Sequence, residues 1–492
     1  MKPLKYLNWI EQFYIKIALI ILFYPLFSFY SNNIFAGEVY NSEIGAKIVK
    51  TNKDNSIVSS ILGRNNYYSY SITTCPGEDT RYQMNISWAV DTIVKRSSLL
   101  YTTTKDKQWK KATIFRPDTH FCDLFDNKYS KLANGDNFYE EAKFIKCNAE
   151  LKNLKANTNY MYKIINDSCS NAGDKLLPGR FESDIHYFKT SGSRKWSACI
   201  ISDFHSYPPL PERTNAAMKM IKEVKKYDDK ISWILHLGDI CAWGGSYSFW
   251  KELYNNEYFK EYMWAGVNGN HDNMSRKYEL SNNYFRFANF YPSNGYEGEE
   301  GVSYYFNYSG TLFIMLNSEK MRNDEGVEAA QKWVREVIKK NLSDFIVVCE
   351  HYQWFFGNDG SSSQYERWRK LFDECGVDLA LAGNTHIYVR TNAIYNGVEV
   401  SDSLGHSTKE YSNKGTVYLQ TPSSDNERGV SFTSPLKYNK ELIRARWTEG
   451  PNTVGAMHIS VSSREMKLVL LNRNCKIIDR IIIKTKKKHK LE

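Results

Sequence analysis

Five short apolar runs in this chain each stop abruptly on a polar block. SACIIS (197–202) ends at Asp203-Phe204-His205, ISWILHL (231–237) at Gly238-Asp239, and YMWAGV (262–267) at Asn268-Gly269-Asn270-His271-Asp272. DFIVVC (344–349) ends at Glu350-His351 and VDLALA (377–382) at Gly383-Asn384-Thr385-His386. Helix-like text such as TNAAMKMIKEVKKY (214–227) and EAAQKWVREVIKK (328–340) lies between the runs. Apolar strands alternating with amphipathic helices predict a layered α/β domain. Ligand sites in such domains gather at the carboxyl ends of strands, so these five ends should converge.

The text before residue 192 has a different character. From about residue 40 it alternates in short strand-like runs, YQMNISWAV and YMYKII among them, with no long helical pattern. That predicts a β-sandwich. GSRK (192–195) marks the change of pattern, and β-type text returns after residue 415 to complete the second domain. The expected organisation is a signal peptide at 1–36, a β-sandwich at 37–191, a layered α/β domain at 192–484 and a basic tail at 485–492.

A chain of 492 residues, 42% apolar and 24% charged, can bury a large core, and wholesale disorder is excluded. Lysines 2, 5 and 16 precede an apolar stretch from Ile17 to Phe29 that is broken by Pro25. This fits a secretory signal better than a membrane span, so the expected location is periplasmic, secreted or cell-surface. No later stretch is long and apolar enough to span a membrane as a helix. The net charge of +10 is spread along the chain, and the tail KTKKKHKLE reads as a solvated terminus; no specific nucleic-acid partner is expected. Nine cysteines without a CxxC pair exclude a zinc ribbon. In an exported chain Cys75, Cys122, Cys147 and Cys169 are candidates for disulfides.

The polar blocks supply carboxylates, imidazoles and amides but no thiols, a donor set suited to Zn, Fe or Mn. One aspartate can bridge two such ions about 3.5–4 Å apart, and a metal pair of this kind serves in-line displacement at phosphorus. In order, DFH, GD, GNHD, VCEH and GNTH resemble the five blocks of the calcineurin-like metallophosphoesterases. With the β-type N-terminal region, whose end resembles a fibronectin type III module, and with GNTHIYVR, the chain looks most like bacterial purple acid phosphatase-like proteins.

The resemblance implies an α/β/β/α sandwich preceded by a β-sandwich, holding two divalent or trivalent ions of Fe, Mn or Zn. Asp203, His205, Asp239 and His386 would bind the first. Asp239 would bridge to the second, held also by Asn270, His351 and Asn384. His271 would contact the phosphoryl group or protonate the leaving oxygen, with Asp272 orienting it. A metal-bound hydroxide would then attack a small phosphorylated substrate directly, a phosphomonoester first. A phosphodiester or nucleotide is the alternative, and a surface binding protein with a degenerate metal site is the alternative of another class. The oligomeric state stays open.

Two positions depart from the pattern. Purple acid phosphatases carry a tyrosine three residues after the bridging aspartate, where this chain has Ala242, so the tyrosinate charge-transfer colour should be absent. The last block has Asn384 where a histidine is usual. His236, inside ISWILHL, reads as core. Tyr388 and Arg390, and the aromatics Trp243, Trp354, Phe355 and Phe356, could line the site or pack away from it.

An amide oxygen at position 384 suits Mn better than Zn or Fe. Asn384→His is therefore expected to tighten the second metal and reduce dependence on added ion, and Asn384→Ala to loosen it. Titrating metal into wild type and both variants after mild chelation checks this; equal affinities would leave Asn384 a turn residue only.

Overall fold

The computed structural model describes residues 47–50, 56–60 and 67–484, except 92–93, 107, 113–119, 124–136, 171–175, 208–209, 246, 275–279, 355–358, 362–363, 401–407, 410–414, 426–427, 433–434 and 463. The expected signal peptide, the basic tail, and Phe355 and Phe356 lie outside the described residues.

Two sheets face each other at the centre. In the first, Trp196–Ile201, Ile231–His236 and Met263–Gly266 run parallel. Gly455–Ser462, Glu465–Asn472 and Ile477–Lys484 extend it antiparallel on the far side of Trp196–Ile201. In the second, Thr311–Met315, Phe345–Cys349, Leu379–Ala382 and Thr416–Gln420 run parallel, with Tyr304–Tyr308 and Tyr388–Tyr395 antiparallel at the flanks. The central strands are buried almost throughout, which is why they read as unbroken apolar runs and do not alternate. Aromatic rings fill the seam: Trp233 of the first sheet meets Phe313 and Phe306 of the second edge-on, at 5.1 and 5.8 Å between centroids.

Helices cover both outer faces. Glu212–Tyr227 lies on the first sheet and buries Ala217, Met218, Ile221 and Val224, one face of a 3.6-residue period. Its acidic first turn and basic last turn suit the helix dipole. On the second sheet, Asp324–Lys340 and Tyr365–Cys375 share a core with Ile314, Val348 and Ala380. The Asn323 side chain caps the former by accepting from the Gly326 N–H at 2.8 Å. These layers are the α/β/β/α sandwich.

The N-terminal region is β-rich, and it joins the sandwich. Tyr70–Pro76 pairs parallel beside Met263–Gly266, with Thr74 opposite Met263, so the first sheet continues through Met84–Asp91 to Asn137–Leu151. A smaller sheet of Val94–Thr103, Asn159–Ser170 and Leu176–Glu182 lies beside it. One apolar core runs from Trp88 and Phe144 to Trp250 and Trp264 across residue 192. Lys146, 1% exposed, crosses this junction to donate to the Ala288 carbonyl at 3.0 Å. Burial pulls its ammonium down to about 8. Cys75 and Cys147 are buried free thiols and do not pair with each other; the side chains of Cys122 and Cys169 lie outside the described residues.

Tyr388 and Arg390 do not line the candidate site. Arg390 Nε and the Tyr388 hydroxyl both donate to Asp479 Oδ2, at 2.6 and 2.8 Å, tying the second sheet to the last strand of the first. The Arg390 side chain is 4% exposed, so its charge depends on this partner. Asp479→Ala should lower stability by about 3 kcal/mol, read as a fall in denaturation midpoint. Pairing Asp479→Leu with Arg390→Met should restore most of that loss, and an unchanged midpoint in the single variant would show that the pair does not hold the sheets together.

Candidate metal centre

Backbone geometry turns the strand ends into a site. Asp203, His205, Asp239, Asn384 and His386 all have φ between 42° and 73°. The left-handed region is costly for side chains with a Cβ, about 1–3 kcal/mol each, and persists only where neighbours enforce it. Here they do. The Asp203, His205 and Ser206 N–H groups donate to the carbonyls of Gly238, Asp239 and Ile240, locking the first two loops together. The Asn384 N–H donates to both Asp203 carboxylate oxygens at 3.0 Å, and the His271 N–H donates to Asp239 Oδ1 at 2.9 Å. Two glycines permit this crowding: a Cβ on Gly238, itself at φ +90°, would come within 2.5 Å of His351 Nδ1, and one on Gly269 within 2.2 Å of Asp239 Oδ1.

Asp239 stands at the centre. His205 Nε2 and His351 Nε2 approach its Oδ2 at 3.1 and 3.3 Å, and His386 Nε2 lies 3.6 Å from Asp203 Oδ1. Two clusters of possible donor atoms result, His205–Asp239–His271 and Asp203–Asp239–His351, each with its donor atoms within 4.8 Å of one another; they cut across the two expected ligand sets, since Asp203 falls with His351 and the expected non-ligand His271 falls with His205. Asp239 belongs to both, as a bridging carboxylate must.

The donors fit metal ions by their tautomers as well. His351 Nδ1 donates to the Leu237 carbonyl at 2.8 Å, His386 Nδ1 to the Arg428 carbonyl at 2.6 Å, and His271 Nδ1 to the Ala242 carbonyl at 2.9 Å. Each bond leaves the Nε2 lone pair facing inward, the arrangement by which ligating histidines are normally held. His351 Nε2 is buried and makes no hydrogen bond, although a carboxylate oxygen faces it. A lone pair opposite a carboxylate is repulsive unless a cation or proton lies between.

The protonation balance expresses the same demand. Burial opposes a charge on His351, yet Asp239 and then Asp203 outweigh it and push its imidazole up to about 10. Burial also works against ionised Asp239, but His351 and His205 hold its carboxyl well below the usual range. Burial takes the His205 imidazole down to about 3 and leaves it neutral.

The two asparagines keep acceptor atoms available. Asn270 is half-buried and makes no hydrogen bond among the described residues. Asn384 donates Nδ2 to Gln353 Oε1 at 2.7 Å, which leaves its Oδ1 for a ligand. Asn384 is thus a turn residue, a clamp on Asp203 and a candidate donor at once.

Asp272 does not orient His271. Its Oδ1 accepts from the Cys241 N–H and its Oδ2 from the Gly269 N–H, both at 2.9 Å, so the carboxylate ties the Asp239 loop to the Asn270 loop. The Ala242 carbonyl holds the His271 ring instead. Burial, then the charge of Asp239, pushes the Asp272 carboxyl up to about 7. Trp243 stands edge-on to His271 at 5.9 Å between centroids, while Trp354 is core, 1% exposed, donating to the Leu381 carbonyl. His236 is also core, beside the Tyr291 hydroxyl. The carbonyls of Leu237, Ala242 and Arg428 were missed in the sequence because a backbone carbonyl has no residue signature.

Fold and donor set together define a metallophosphoesterase domain. Residues 197–388 match the calcineurin-like phosphoesterase family, and the chain carries a domain of that family. Purple acid phosphatase 23 of Arabidopsis thaliana is 28% identical over 118 residues, 23% of this chain and 25% of that protein, so the match spans a quarter of that relative. The structure of the purple acid phosphatase PPD1 from yellow lupin (Lupinus luteus) superposes with a TM-score of 0.65 at 15% identity, covering 85% of this chain and 75% of that one. That of PhoD superposes with a TM-score of 0.51 at 11% identity, covering 86% and 90%.

Asp272→Asn replaces one acceptor oxygen with an NH2 group facing a backbone N–H. A buried mismatch of this kind costs about 1–3 kcal/mol, so a lower denaturation midpoint is expected, with faster amide exchange at Cys241 or Gly269. Wild-type exchange at both amides would refute the tie.

Proposed function

We propose that this chain is an exported dinuclear-metal phosphoesterase acting on phosphomonoesters. The observation that carries the reading is the buried Asp239 carboxylate, shared between two histidine-containing donor groups. Asp203, His205, Asp239 and His386 would hold one metal, and Asp239, Asn270, His351 and Asn384 the other. Such a pair, when bound, supplies a nucleophile from water at neutral pH and neutralises charge on both sides of an in-line displacement at phosphorus.

The chain's own groups do the rest. The Ala242 carbonyl accepts from His271 Nδ1–H, so Nε2 is the nitrogen directed into the site; in the doubly protonated imidazolium it would hydrogen-bond a phosphoryl oxygen through Nε2–H or give that proton to the leaving oxygen. Left-handed turns keep the donors in place before any ligand arrives, which lowers the reorganisation needed during reaction. The two purple acid phosphatase relatives support a monoesterase. Ala242 and His205 in place of a tyrosine ligand make a tyrosinate-bound ferric centre the weaker choice, and Asn384 favours Mn at the second position. Export rests on the N-terminal sequence, as does reading residues 37–191 as a fibronectin type III-like module.

The decisive test is hydrolysis by the metal-loaded protein of a chromogenic phosphomonoester against a chromogenic diester, with metal content measured on the same sample. The monoester should be cleaved faster. His271→Ala should keep its metal while kcat falls by about 10²–10⁴. A protein that binds two metals and cleaves neither ester would end this reading, and metal lost in step with activity would make His271 a ligand.

A further inference from the structure

Beside the metal centre lies a buried polar cluster, Glu299 with Asn268, Asn273, Asn282 and Asn317, that the proposed chemistry does not use. Glu299 is 1% exposed, and Asn268, Asn273 and Asn317 are 0–1% exposed. Asn317 Nδ2 donates to Glu299 Oε2 at 2.9 Å and Asn282 Nδ2 to Oε1 at 2.7 Å, so each carboxylate oxygen takes one amide. The oxygens of those two amides then face away from Glu299. Asn317 Oδ1 accepts from Asn268 Nδ2 at 2.8 Å, and Asn282 Oδ1 from Asn273 Nδ2 at 3.1 Å. A cross-link from Asn317 Nδ2 to Asn282 Oδ1 at 3.0 Å joins the two arms.

Asn268 and Asn273 bracket Asn270-His271-Asp272. We infer that Glu299 is a positioning residue for this loop: its carboxylate sets the orientation of four asparagine amides, and those amides hold both ends of the segment that carries Asn270 and His271. The chemistry of the acceptor is the reason. An asparagine amide can be turned about with little change in shape, but an ionised carboxylate only accepts, so each facing amide must present its NH2. With Asn317 and Asn282 turned that way, their oxygens can receive only donors, which fixes Asn268 and Asn273 in turn. The Oδ1 atoms of Asn268 and Asn273 make no hydrogen bond, so each is held through its NH2 group alone. Severing the chain at Glu299 therefore loosens the side-chain hold on both ends at once, while backbone bonds such as Ser281 N–H to the Asn273 carbonyl remain.

The inference rests on the proposed function only in naming what the loop is held for. Its test reads the loop directly. Glu299→Gln keeps shape and volume but puts an NH2 where an acceptor stood, so one arm must face a donor with a donor. Hydrogen exchange followed by mass spectrometry should show the amides of 268–273 exchanging at least about tenfold faster, with the strand Met263–Gly266 unchanged. Second-metal affinity in the same variant should fall by about 10–100-fold, the usual effect of losing an outer partner of a metal site. Asn317→Ala removes the Asn268 arm and the cross-link but leaves Asn282 on Glu299, so it should free the Asn268 end more than the other. Glu300→Gln, at the exposed neighbouring position, should match wild type in both measurements. Unchanged exchange across 268–273 in both Glu299→Gln and Asn317→Ala would overturn the inference. A wild type that binds metal without cleaving phosphoesters would overturn the proposed function alone and leave the exchange result standing.

Discussion

A fully buried carboxylate between two imidazoles is the constraint from which the centre of this structure follows. Asp239 is only 3% exposed and has two ring nitrogens near one of its oxygens. An isolated charge in such a place costs several kcal/mol, so positive charge has to be supplied. A proton on His351 can supply one unit, and a divalent ion shared with Asp203 supplies more. Everything around Asp239 leads to the second solution. The His351, His386 and His271 Nδ1–H groups are spent on backbone carbonyls, and the asparagine donors add no charge.

The sandwich makes that convergence possible at a cost in local strain. Asp203, Asp239 and the Asn270 loop come from one sheet, His351 and Asn384 from the other, and the carboxyl ends of both sheets meet. Extended strands would send alternate side chains to opposite faces. Left-handed residues at the strand ends break that alternation and swing Asp203, His205, Asp239, Asn384 and His386 to one place. Interlocked loop hydrogen bonds and the Asp272 tie hold those turns. Because the strain is met by the frame, the donors need little adjustment on binding.

The likeness to the purple acid phosphatase PPD1 is one of fold. At Ala242, where the sequence resemblance leads one to expect a tyrosine, the backbone carbonyl holds His271. A small side chain suits the tight turn from Asp239 to Trp243, where Gly244 donates its N–H to the His271 carbonyl at 2.8 Å. The N-terminal β region shares a sheet and a core with the phosphoesterase domain, and the buried Lys146 crosses between them. The two halves are thus joined by a continuous apolar interior and a buried cation.

Sequence alone determined the α/β layering, the strand ends and the identities and order of the candidate ligands. Those features are local: an apolar run is buried because of its own composition, and the residues that stop it are written beside it. It could not assign Asp272, whose carboxylate serves Cys241 and Gly269, nor Tyr388 and Arg390, which answer to Asp479 some 90 positions away. Nor could it show that Tyr70–Pro76 continues the central sheet or that Glu299 stands beside the metal loop. The carbonyls that orient the histidines lie 29, 42 and 114 positions from their partners, and every residue type carries such a carbonyl. Backbone groups and long-range pairs leave no mark in composition or spacing. Only the folded chain, by bringing the strand ends of two sheets to one point, decides which of them meet.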